Sequence, residues 1–545
     1  MARNSRTRPI WVADAETDPF KKGRVPKPFI WGLYTGEEYH EFFNTEELIE
    51  FIEDKKVILY AHNGGKFDWH FITQYIPDFE PLTVINGRLA KFCIGECELR
   101  DSYNIIPAPL SAYKKDEIDY ALFEPGERDK PENMKAIREY LQSDCIYLHE
   151  MITAFIEEYG LNLTQASAAM KVWSKMSGIK KPQSSDFYYE DMVRYYYGGR
   201  VQCFEVGIID TDFSVVDINS AYPFAMTNKH PWGINYSMHD HLPDLPDEEL
   251  GRCFITMTAR SMGAFPYREK NGLQFPDDGE IREFNITGWE YIAARDTDCL
   301  KDVNITIVRE YFEAIDFIEY VEHFFAMKNE AKTAGDAARY LFAKLFLNSL
   351  YGKFASNPQN YQEFMTVPAN MIEGACEDGW SYCKLLCEET AVVNKPLDEE
   401  KHRYYDIAVA ASVTGFVRAY LWRNIHSTKG TMLYCDTDSI AARYVADIPQ
   451  SKKLGDWELE AECNFAAIGG KKLYAFRKKD GKWKTASKGV RLEHHEIVAI
   501  ARGETVVHVP EAPTFSVKGP VRFTPRSIKM TENLKGPIDI RKLLR

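Results

Sequence analysis

The first third of the chain alternates short apolar runs with a long stretch of helical periodicity. Residues 10–13, 29–34 and 57–60 are predicted strands, and residues 133–159 predict one amphipathic helix because apolar side chains recur every three to four positions. This alternation is typical of an α/β domain with a mixed sheet, which we expect to end near residue 165. A second region of strands and helices begins near Tyr196.

The pattern changes after residue 228. Residues 228–325 contain Pro and Gly and show little helical periodicity, whereas residues 326–350 predict one strong helix that ends at Tyr351-Gly352. A strand is predicted at 432–434 and a helix near 495–502. No internal repeat, low-complexity tract or flexible linker separates these regions, so we expect the domains to pack together.

The bulk composition excludes some classes of protein. A chain of 545 residues is too long for one hydrophobic core and suggests roughly two to four domains. It has no apolar run of about 18 residues, which predicts no membrane span. The basic N-terminus lacks the apolar stretch of a signal peptide. We therefore expect the protein to act in the cytoplasm, and we also expect a monomer.

Charge and cysteines add little by themselves. The net charge is −14, yet residues 451–545 carry 20 Lys and Arg against 11 Asp and Glu, so a local basic track for nucleic acid is possible. The eleven cysteines are scattered, which favours reduced thiols. Cys376, Cys383 and Cys387 have a spacing that fits no common zinc pattern, and we interpret them as spare thiols.

A first set of carboxylates follows the predicted elements of the N-terminal region. Asp14 and Glu16 are two apart at the end of a strand and so face one side, Asp68 follows the next strand, and Tyr140 and Asp144 are four apart on the long helix. Hard oxygen ligands of this kind hold two Mg²⁺ ions for phosphodiester hydrolysis, with the tyrosine orienting water. Unrelated surface acids are the alternative, which the ordered recurrence on suitable elements disfavours.

A second set of carboxylates lies farther along. Asp217 ends an apolar strand and is followed by Tyr222, and Asp436 and Asp438 occupy a predicted strand–turn–strand. An isolated Asp-x-Asp is a weak signal, but flanking apolar strands strengthen it. The sequence therefore predicts that these acids form a second cluster of carboxylates.

The predicted helix between these carboxylates carries basic and aromatic side chains on one face. Lys344, Asn348 and Tyr351 fall at i, i+4 and i+7, and Lys332 lies twelve residues earlier. Lysines there can neutralise a triphosphate, and the tyrosine ring can stack beside an incoming base. The alternative is an amphipathic core helix with exposed lysines.

These segments resemble known motifs. The second set is similar to motifs A, B and C of family-B DNA polymerases, and the first set resembles the three motifs of the DEDDy 3′–5′ proofreading exonucleases. More narrowly, residues 14–488 resemble the protein-primed branch found in linear-genome phages, adenoviruses and linear plasmids. The resemblance implies an α/β and α+β multidomain fold, in which an RNase H-like exonuclease domain precedes a right-hand polymerase domain with two insertions.

The resemblance also implies domain boundaries. They are an exonuclease domain at 1–165, a linker motif and first palm part at 166–227, a first terminal-protein-region insertion at 228–325, fingers at 326–358, a second insertion at 359–403, a second palm part at 404–505 and a thumb at 506–545. The first insertion would dock a priming protein. The second would close a ring around DNA and give processivity and strand displacement.

Residue roles follow from the resemblance. Metal ligands would be Asp14, Glu16, Asp68 and Asp144 in one site, and Asp217, the Ile218 carbonyl and Asp438 in the other, each site holding two Mg²⁺ with Mn²⁺ as a substitute. Asp436 would support the second site, and Lys115 would assist the exonuclease. Tyr222 would exclude a 2′-hydroxyl.

Contacts with DNA are implied as well. The linker motif is Tyr196, Gly198 and Gly199; the template motif is Thr414 and Arg418; the primer motif is Lys472 and Tyr474. A frayed single strand would be gripped by Thr17, His62, Asn63 and Phe67.

The sequence thus predicts a DNA-directed DNA polymerase with a proofreading exonuclease, acting on template-primer DNA and dNTPs with a priming protein. One rival is a family-B polymerase that starts synthesis without a priming protein. Another is a catalytically silent DNA-binding scaffold, which the complete carboxylate sets argue against.

Overall fold

Two large sheets organise the chain. The computed structural model describes residues 8–182, 185–270, 272–355, 357, 361–398, 406–487 and 489–531. The longest parts of the predicted domains that lie outside these described residues are 1–7 of the exonuclease domain, 399–403 of the second insertion and 532–545 of the thumb.

The N-terminal region confirms its predicted strands and long helix. Its strands are β1 (Ile10–Thr17), β2 (Pro28–Tyr34), β3 (Tyr39–Phe42), β4 (Ile58–Ala61), β5 (Pro81–Ile85), β6 (Arg88–Ile94) and β7 (Cys97–Asp101). Its helices are α1 (Thr45–Ile52), α2 (Pro125–Arg128), α3 (Pro131–Tyr159) and α4 (Gln165–Ser177). The long helix α3 starts with proline, whose missing N–H needs no partner there, and ends at Gly160. It packs its buried face against β1 and β2.

The next region forms a short helix, three strands and another helix. These elements are α5 (Asp186–Met192), β8 (Val201–Cys203), β9 (Gly207–Ile209), β10 (Phe213–Ile218) and α6 (Ala221–Met226). Strand β10 carries Asp217 next to its last residue and turns into α6 through Ser220, which has a left-handed backbone with φ of +58°.

Residues 228–315 form a separate four-stranded sheet with a hairpin. The elements are β11 (His230–His239), α7 (Asp247–Leu250), β12 (Cys253–Arg260), β13 (Tyr267–Glu269), β14 (Gly272–Gln274), β15 (Arg282–Thr287), α8 (Gly288–Asp296) and β16 (Lys301–Ile315). The sheet order is β11-β16-β12-β15, and β13 pairs with β14. The low helical periodicity of this region therefore reflects strands.

The prediction of one helix over residues 326–350 is wrong. Two antiparallel helices occupy this region, α9 (Ile318–Ala334) and α10 (Ala337–Phe354). They separate at Gly335, which has φ of +71°, and the Asp336 side chain caps the second helix by accepting from the N–H of Arg339. The helix also continues through Tyr351-Gly352, and α9 crosses the predicted boundary at 325–326.

The region predicted as the second insertion adds strands to the N-terminal sheet. It forms β17 (Gln362–Pro368), α11 (Ile372–Glu377), β18 (Ser381–Leu385) and β19 (Thr390–Pro396). Strand β17 pairs with β5, with Phe364 opposite Leu82. The described residues thus build one ten-stranded sheet in the order β18-β19-β17-β5-β6-β7-β4-β1-β2-β3.

The C-terminal region completes the second large sheet. Its elements are α12 (Ile407–Ser427), β20 (Met432–Asp436), β21 (Ser439–Ala442), β22 (Trp457–Gly470), β23 (Leu473–Lys478), β24 (Trp483–Ser487), α13 (His494–Ala501), β25 (Val506–His508) and β26 (Arg526–Ile528). The order is β24-β23-β22-β10-β21-β20-β8, with β9 beside β22. The strand predicted at 432–434 and the helix near 495–502 are confirmed. Strand β10 is central, which brings together segments that are far apart in sequence.

Candidate active sites

The central strand β10 brings the two predicted polymerase carboxylates to one edge of the sheet. Asp217 lies opposite Ser439 in the antiparallel pairing with β21, and the N–H of Ile218 donates to the carbonyl oxygen of Asp438 at 2.8 Å. The predicted strand–turn–strand is present, with Thr437 at φ of +61° in the turn. The pairing register therefore fixes Asp217 beside Asp438.

Both carboxyl groups have raised pKa values. Burial raises the pKa of Asp217 to about 7, and the Asp438 carboxylate adds to the rise. Burial likewise raises the pKa of Asp438 to about 6, although main-chain hydrogen bonding opposes it. Crowded carboxyl groups of this kind ionise readily only when positive charge is near, which suits divalent cations.

The third acid of this centre is set apart. Asp436 makes an ion pair with Lys472 at 3.0 Å and accepts a hydrogen bond from the Thr437 hydroxyl at 3.0 Å. A carboxylate whose charge a lysine already balances is less available to a cation. This agrees with the expectation that Asp436 supports the site.

The donor set fits ions that keep open positions. Within the described residues, no three His, Cys, Asp or Glu side chains form a complete metal-binding group, and this includes the cysteine cluster at 376–387. Mg²⁺ is usually held by one or two carboxylates together with water and substrate phosphates. The Asp217–Asp438 pair leaves coordination positions open for water and substrate phosphates. It therefore fits Mg²⁺ better than it fits an ion that needs a full set of protein ligands.

Two tyrosines and Lys328 lie near this carboxylate pair. The rings of Tyr222 and Tyr351 stack with centroids 4.3 Å apart. Lys328 donates to the Ser220 hydroxyl at 3.3 Å. Burial lowers the pKa of Lys328, and the charges of Lys344 and Lys332 lower it further, so the three ammonium groups lie near one another. Asn348, by contrast, bonds the carbonyl of Lys344 in its own helix.

The sequence reasoning missed Lys328 and two charged groups on neighbouring strands. Glu460 and Lys484 pair with each other and act on the pKa of Asp217 in opposite directions, the glutamate raising it. Only their spacing in the sequence could have pointed to these residues. Lys328 precedes Lys332 by one helical turn, and Glu458 and Glu460 share one face of a strand.

The first carboxylate set also converges. Burial raises the pKa of Asp14 to about 7, with Asp144 adding to the rise, and burial raises the pKa of Glu16 well above its ordinary value, with Asp14 and Asp144 adding to it. The same causes, burial first and then the Asp14 charge, raise the pKa of Asp68. The N-terminal site therefore concentrates four mutually repelling carboxyl groups.

Positive charge in this site is sparse. Lys115 lies 3.4 Å from Asp144 and beside the Tyr140 ring. Within the described part of the chain, the buried oxygen Oδ1 of Asp144 has no hydrogen-bond partner. A buried acceptor without a donor costs free energy, and a cation would satisfy it. The residues present fit divalent metal ions.

A second tyrosine meets Tyr140. The hydroxyl groups of Tyr120 and Tyr140 lie 3.2 Å apart, and Tyr120 is exposed. The sequence placed Tyr120 beside Lys115 but gave it no role. The contact becomes visible only when the segment that carries Tyr120 folds over α3.

The predicted single-strand contacts are engaged within the protein. Both ring nitrogens of His62 have partners, the Ser102 hydroxyl at 2.9 Å and the Ala108 carbonyl at 2.8 Å, and Arg88 donates to the Asn63 side chain. His62 can therefore contact DNA only through the face of its ring. Thr17 lies at a β-bulge at the end of β1.

Phe67 belongs to an aromatic cluster that joins the N-terminal region to the C-terminal one. Its ring lies 5.6 Å from Phe20, 5.0 Å from Phe71 and 5.7 Å from Phe515. Phe515 comes from the predicted thumb and is buried. The partly exposed face of Phe67 thus lies where the predicted thumb meets the N-terminal region.

The expected template contacts of Thr414 and Arg418 require correction. Each side chain is only 2% exposed. Thr414 donates to the Ala411 carbonyl, and Arg418 donates to Glu290 and to the carbonyls of Tyr197 and Gly198. A direct contact with DNA is closed to them in this conformation, because α12 buries this face in the core.

The primer motif lies at the start of β23. Lys472 has φ of +57° and its N–H donates to the Tyr434 hydroxyl at 2.9 Å. Tyr474 packs against Tyr434 and Phe476. The motif is therefore fixed to the strand that carries Asp436.

Comparison with known proteins agrees with this architecture. A family model described as DNA polymerase type B, organellar and viral, matches residues 108–395. A DNA-directed DNA polymerase of Enterobacteria phage PRD1 is 36% identical over 97% of this chain and 100% of that protein. The DNA polymerase of Bacillus phage phi29 is 24% identical over 86% of each chain.

A solved structure shows the same fold. It is phi29 DNA polymerase complexed with primer-template DNA and incoming nucleotide substrates, which aligns with a TM-score of 0.74 and 19% identity over 96% of this chain and 100% of that one. The fold is thus that of a multidomain right-hand polymerase with an exonuclease domain, which confirms the predicted fold class. The chain belongs to the type-B DNA polymerases of organellar and viral type, and it is a DNA-directed DNA polymerase. Among the described residues, no helix has the length and apolar character to cross a bilayer.

Proposed function

We propose that this polymerase extends a primer end by two-metal catalysis and proofreads it at a separate 3′–5′ exonuclease site. The observation that carries the proposal is the Asp217–Asp438 pair, held side by side by strand register, with Lys328 bonded to Ser220 just after Asp217. When bound, two Mg²⁺ ions at each site, or Mn²⁺ as a substitute, activate the attacking oxygen and stabilise the leaving group. Template-primer DNA and dNTPs are the substrates.

The protein supplies charge and shape at the polymerase site. Asp217, Asp438 and the Ile218 carbonyl hold the ions. Lys328, Lys332 and Lys344 neutralise the triphosphate. Tyr351 lines the nascent base pair, and the stacked ring of Tyr222 leaves no room for a 2′-hydroxyl. Lys472 and Tyr474 hold the primer end.

At the exonuclease site the same chemistry is directed to water. Asp14, Glu16, Asp68 and Asp144 hold the ions, and the Tyr140 hydroxyl orients the attacking water. Lys115 balances negative charge on Asp144 and on the substrate phosphate. Frayed single strands bind against Phe67, with His62, Asn63 and Thr17 around them, and aromatic faces suit binding without sequence preference.

The two insertions support protein priming and strand displacement. The region 228–315 presents its own sheet outside the catalytic sheet, a separate surface on which a small priming protein can dock. The second insertion is joined to the exonuclease sheet through β17 and β5, and Lys518 of the thumb lies over its Phe364 ring. These contacts support the proposal that exonuclease, second insertion and thumb together surround the DNA.

The setting of the reaction follows from its chemistry. All eleven cysteines are free thiols, as expected of a protein that works in a reducing compartment. We place the enzyme, as a monomer, in the cytoplasm of a host cell that copies a linear viral or plasmid genome.

Single substitutions separate the two sites. Asp438→Ala should lower primer extension by roughly a thousandfold, equivalent to about 4 kcal/mol of transition-state stabilisation, and leave degradation of single-stranded DNA unchanged. Asp14→Ala should do the reverse. Loss of both activities from either change in a folded protein would contradict the two-site assignment.

Priming is tested without a primer. The pure enzyme should make no product from template and dNTPs alone, and it should attach a dNMP covalently to a small protein encoded beside it. Synthesis without primer or partner would favour the rival, a polymerase that starts unaided. A folded chain with neither extension nor degradation would indicate the silent scaffold.

A further inference from the structure

The loop at residues 196–200 directly backs the turn that carries the catalytic carboxylates. Gly199 lies so close to Thr437 that an added Cβ would be 2.7 Å from the threonine methyl group. The carbonyl of Arg200 accepts a hydrogen bond from the N–H of Thr437 at 2.6 Å. Any movement of this loop is therefore transmitted to the turn between Asp436 and Asp438.

Arg418 holds this loop from beneath. Its Nη1 atom donates to the carbonyl of Tyr197 at 2.7 Å and to that of Gly198 at 2.9 Å, and its guanidinium lies under the Tyr197 ring. Arg418 also acts on Tyr222, because its charge opposes the rise to about 12 that burial causes in the pKa of that hydroxyl. The buried guanidinium of Arg418 thus contacts the 196–200 loop and also acts electrostatically on Tyr222, which lines the proposed nucleotide pocket.

The side chain that orients Arg418 comes from the first insertion. Oxygen Oε1 of Glu290 accepts from Nε of Arg418 at 2.7 Å, and both side chains are buried. Oxygen Oε2 accepts from the main-chain N–H of Thr287 at 3.0 Å and from its hydroxyl at 2.9 Å. Glu290 therefore has two separable contacts, one to its own helix start and one to the polymerase core.

We propose that Glu290 is a positioning residue for DNA synthesis, which orients Arg418 so that its guanidinium holds the 196–199 loop against the catalytic turn. An arginine fork holds several acceptors only when the fork itself is fixed in direction. Without the carboxylate, the buried charge of Arg418 is unpaired and the side chain must seek another partner or water, which releases the two carbonyls. The first insertion then serves every cycle of elongation, besides any role in docking a priming protein. This inference rests on the proposed polymerase site.

The pair of variants Glu290→Gln and Thr287→Val tests the proposal. In Glu290→Gln the amide oxygen can still accept from Thr287, but its NH₂ group faces the Nε–H of Arg418, so that contact alone is lost. We expect kcat/KM for primer extension to fall by roughly ten- to a hundredfold, mostly through weaker binding of template-primer DNA. The dNTP concentration at which extension overtakes degradation should rise, while degradation of single-stranded DNA stays within about twofold.

Thr287→Val is the matched control. It removes the hydroxyl from the other oxygen of Glu290 and leaves the contact with Arg418 intact. Thermal stability should fall because a helix cap is lost, and the balance between extension and degradation should stay that of the wild type. If Thr287→Val reproduces the kinetic defect, or if Glu290→Gln extends primers like the wild type, the proposal is overturned.

A double variant distinguishes a specific defect in DNA synthesis from a loss of folding. Glu290→Gln with Arg418→Met removes both buried charges, which should restore thermal stability to near the wild-type value. Extension should stay impaired, because the carbonyls of Tyr197 and Gly198 still lack their donor. Full recovery of extension would show a merely structural pair and contradict the proposal. A wild-type chain without either activity would instead contradict the proposed function.

Discussion

The rings of Tyr222 and Tyr351 are nearly parallel, with 9° between their planes and 4.3 Å between their centroids, although one follows the strand of Asp217 and the other lies in the last turn of α10. The stack makes a rigid wall beside the catalytic carboxylates. Rigid aromatic walls discriminate substrates by shape, since a clash cannot be relieved by rotation of the ring.

Shortening this wall should relax sugar selection. Tyr222→Val should raise incorporation of ribonucleotides relative to deoxyribonucleotides by roughly 10- to 100-fold, because the space for a 2′-hydroxyl opens. Tyr222→Phe keeps the ring and should stay selective. The ratio of kcat/KM for dATP and ATP on a primed template measures the effect; equal selectivity in all three proteins would refute the assignment.

Removing the half-buried Lys328 of α9 should weaken nucleotide binding. Lys328→Met should raise the KM for dNTPs about tenfold, because one charge-assisted contact with the triphosphate is lost. The exposed Lys175 serves as a control, and Lys175→Met should change nothing. A rise in KM for DNA with no change for dNTPs would mean that Lys328 binds the template-primer instead.

The tyrosine pair should matter for proofreading. Tyr120→Phe removes the hydroxyl that meets Tyr140, and degradation of single-stranded DNA should slow by about three- to tenfold. Primer extension should be unaffected. Tyr113→Phe, which removes a hydroxyl bound to Glu150 at 3.0 Å, is the control. If both variants slow degradation equally, the Tyr120 contact has no special part in it.

The joint between the exonuclease sheet and the second insertion should be needed for strand displacement. The buried hydroxyl of Thr366 accepts from the N–H of Glu80 at 2.8 Å and donates to the carbonyl of Pro77 at 2.6 Å. Thr366→Val leaves these groups unpaired, at a cost of about 1–3 kcal/mol in local stability. The products of extension through duplex DNA should become shorter, whereas the filling of a short gap should be unaffected. Thr306→Val, at an internal strand contact of the first insertion, should leave both reactions intact.

Asp406 predicts a pH dependence of stability. This buried carboxylate caps α12 and accepts from Tyr188, Gly233 and Ala408. Burial raises its pKa to about 7, above its unfolded value of 3.8, so the folded state binds the proton more tightly. Between these values the folded protein loses this advantage as pH rises, and stability falls, by about 4 kcal/mol at most at 1.4 kcal/mol for each unit.

The substitution Asp406→Asn removes this titration. Thermal unfolding measured from pH 5 to pH 8 should show a decline in the wild type that is flatter in Asp406→Asn. Identical slopes in the two proteins would show that Asp406 does not set the dependence.

Local patterns predicted the elements and the carboxylates well. Spacing of two on a strand and four on a helix placed Asp14 with Glu16 and Tyr140 with Asp144, because these rules are geometric. The division of this region into α9 and α10 was missed. Gly335-Asp336 is a weak interruption within a strongly helical composition, and the capping role of Asp336 depends on the return of the second helix.

Long-range contacts were beyond the reach of spacing. Arg418 matches a motif that was expected at the DNA surface, yet Glu290, far away in the first insertion, draws it into the core. Lys328 becomes significant only once α9 lies beside α6. The addition of β17 to β5 is likewise a pairing of two edge strands, and nothing in either strand names its partner.

That strand addition has a mechanical consequence. Near this junction the main-chain N–H of Thr366 donates to Glu80 and that of Phe79 donates to Thr366, so hydrogen bonds run in both directions across it. A force applied along the strands would stretch these hydrogen bonds at the same time. No single bond would therefore break first at low force. The proposed strand displacement needs a support that does not deform when the duplex is forced open. We expect the ten-stranded sheet to be that support, past which the DNA moves.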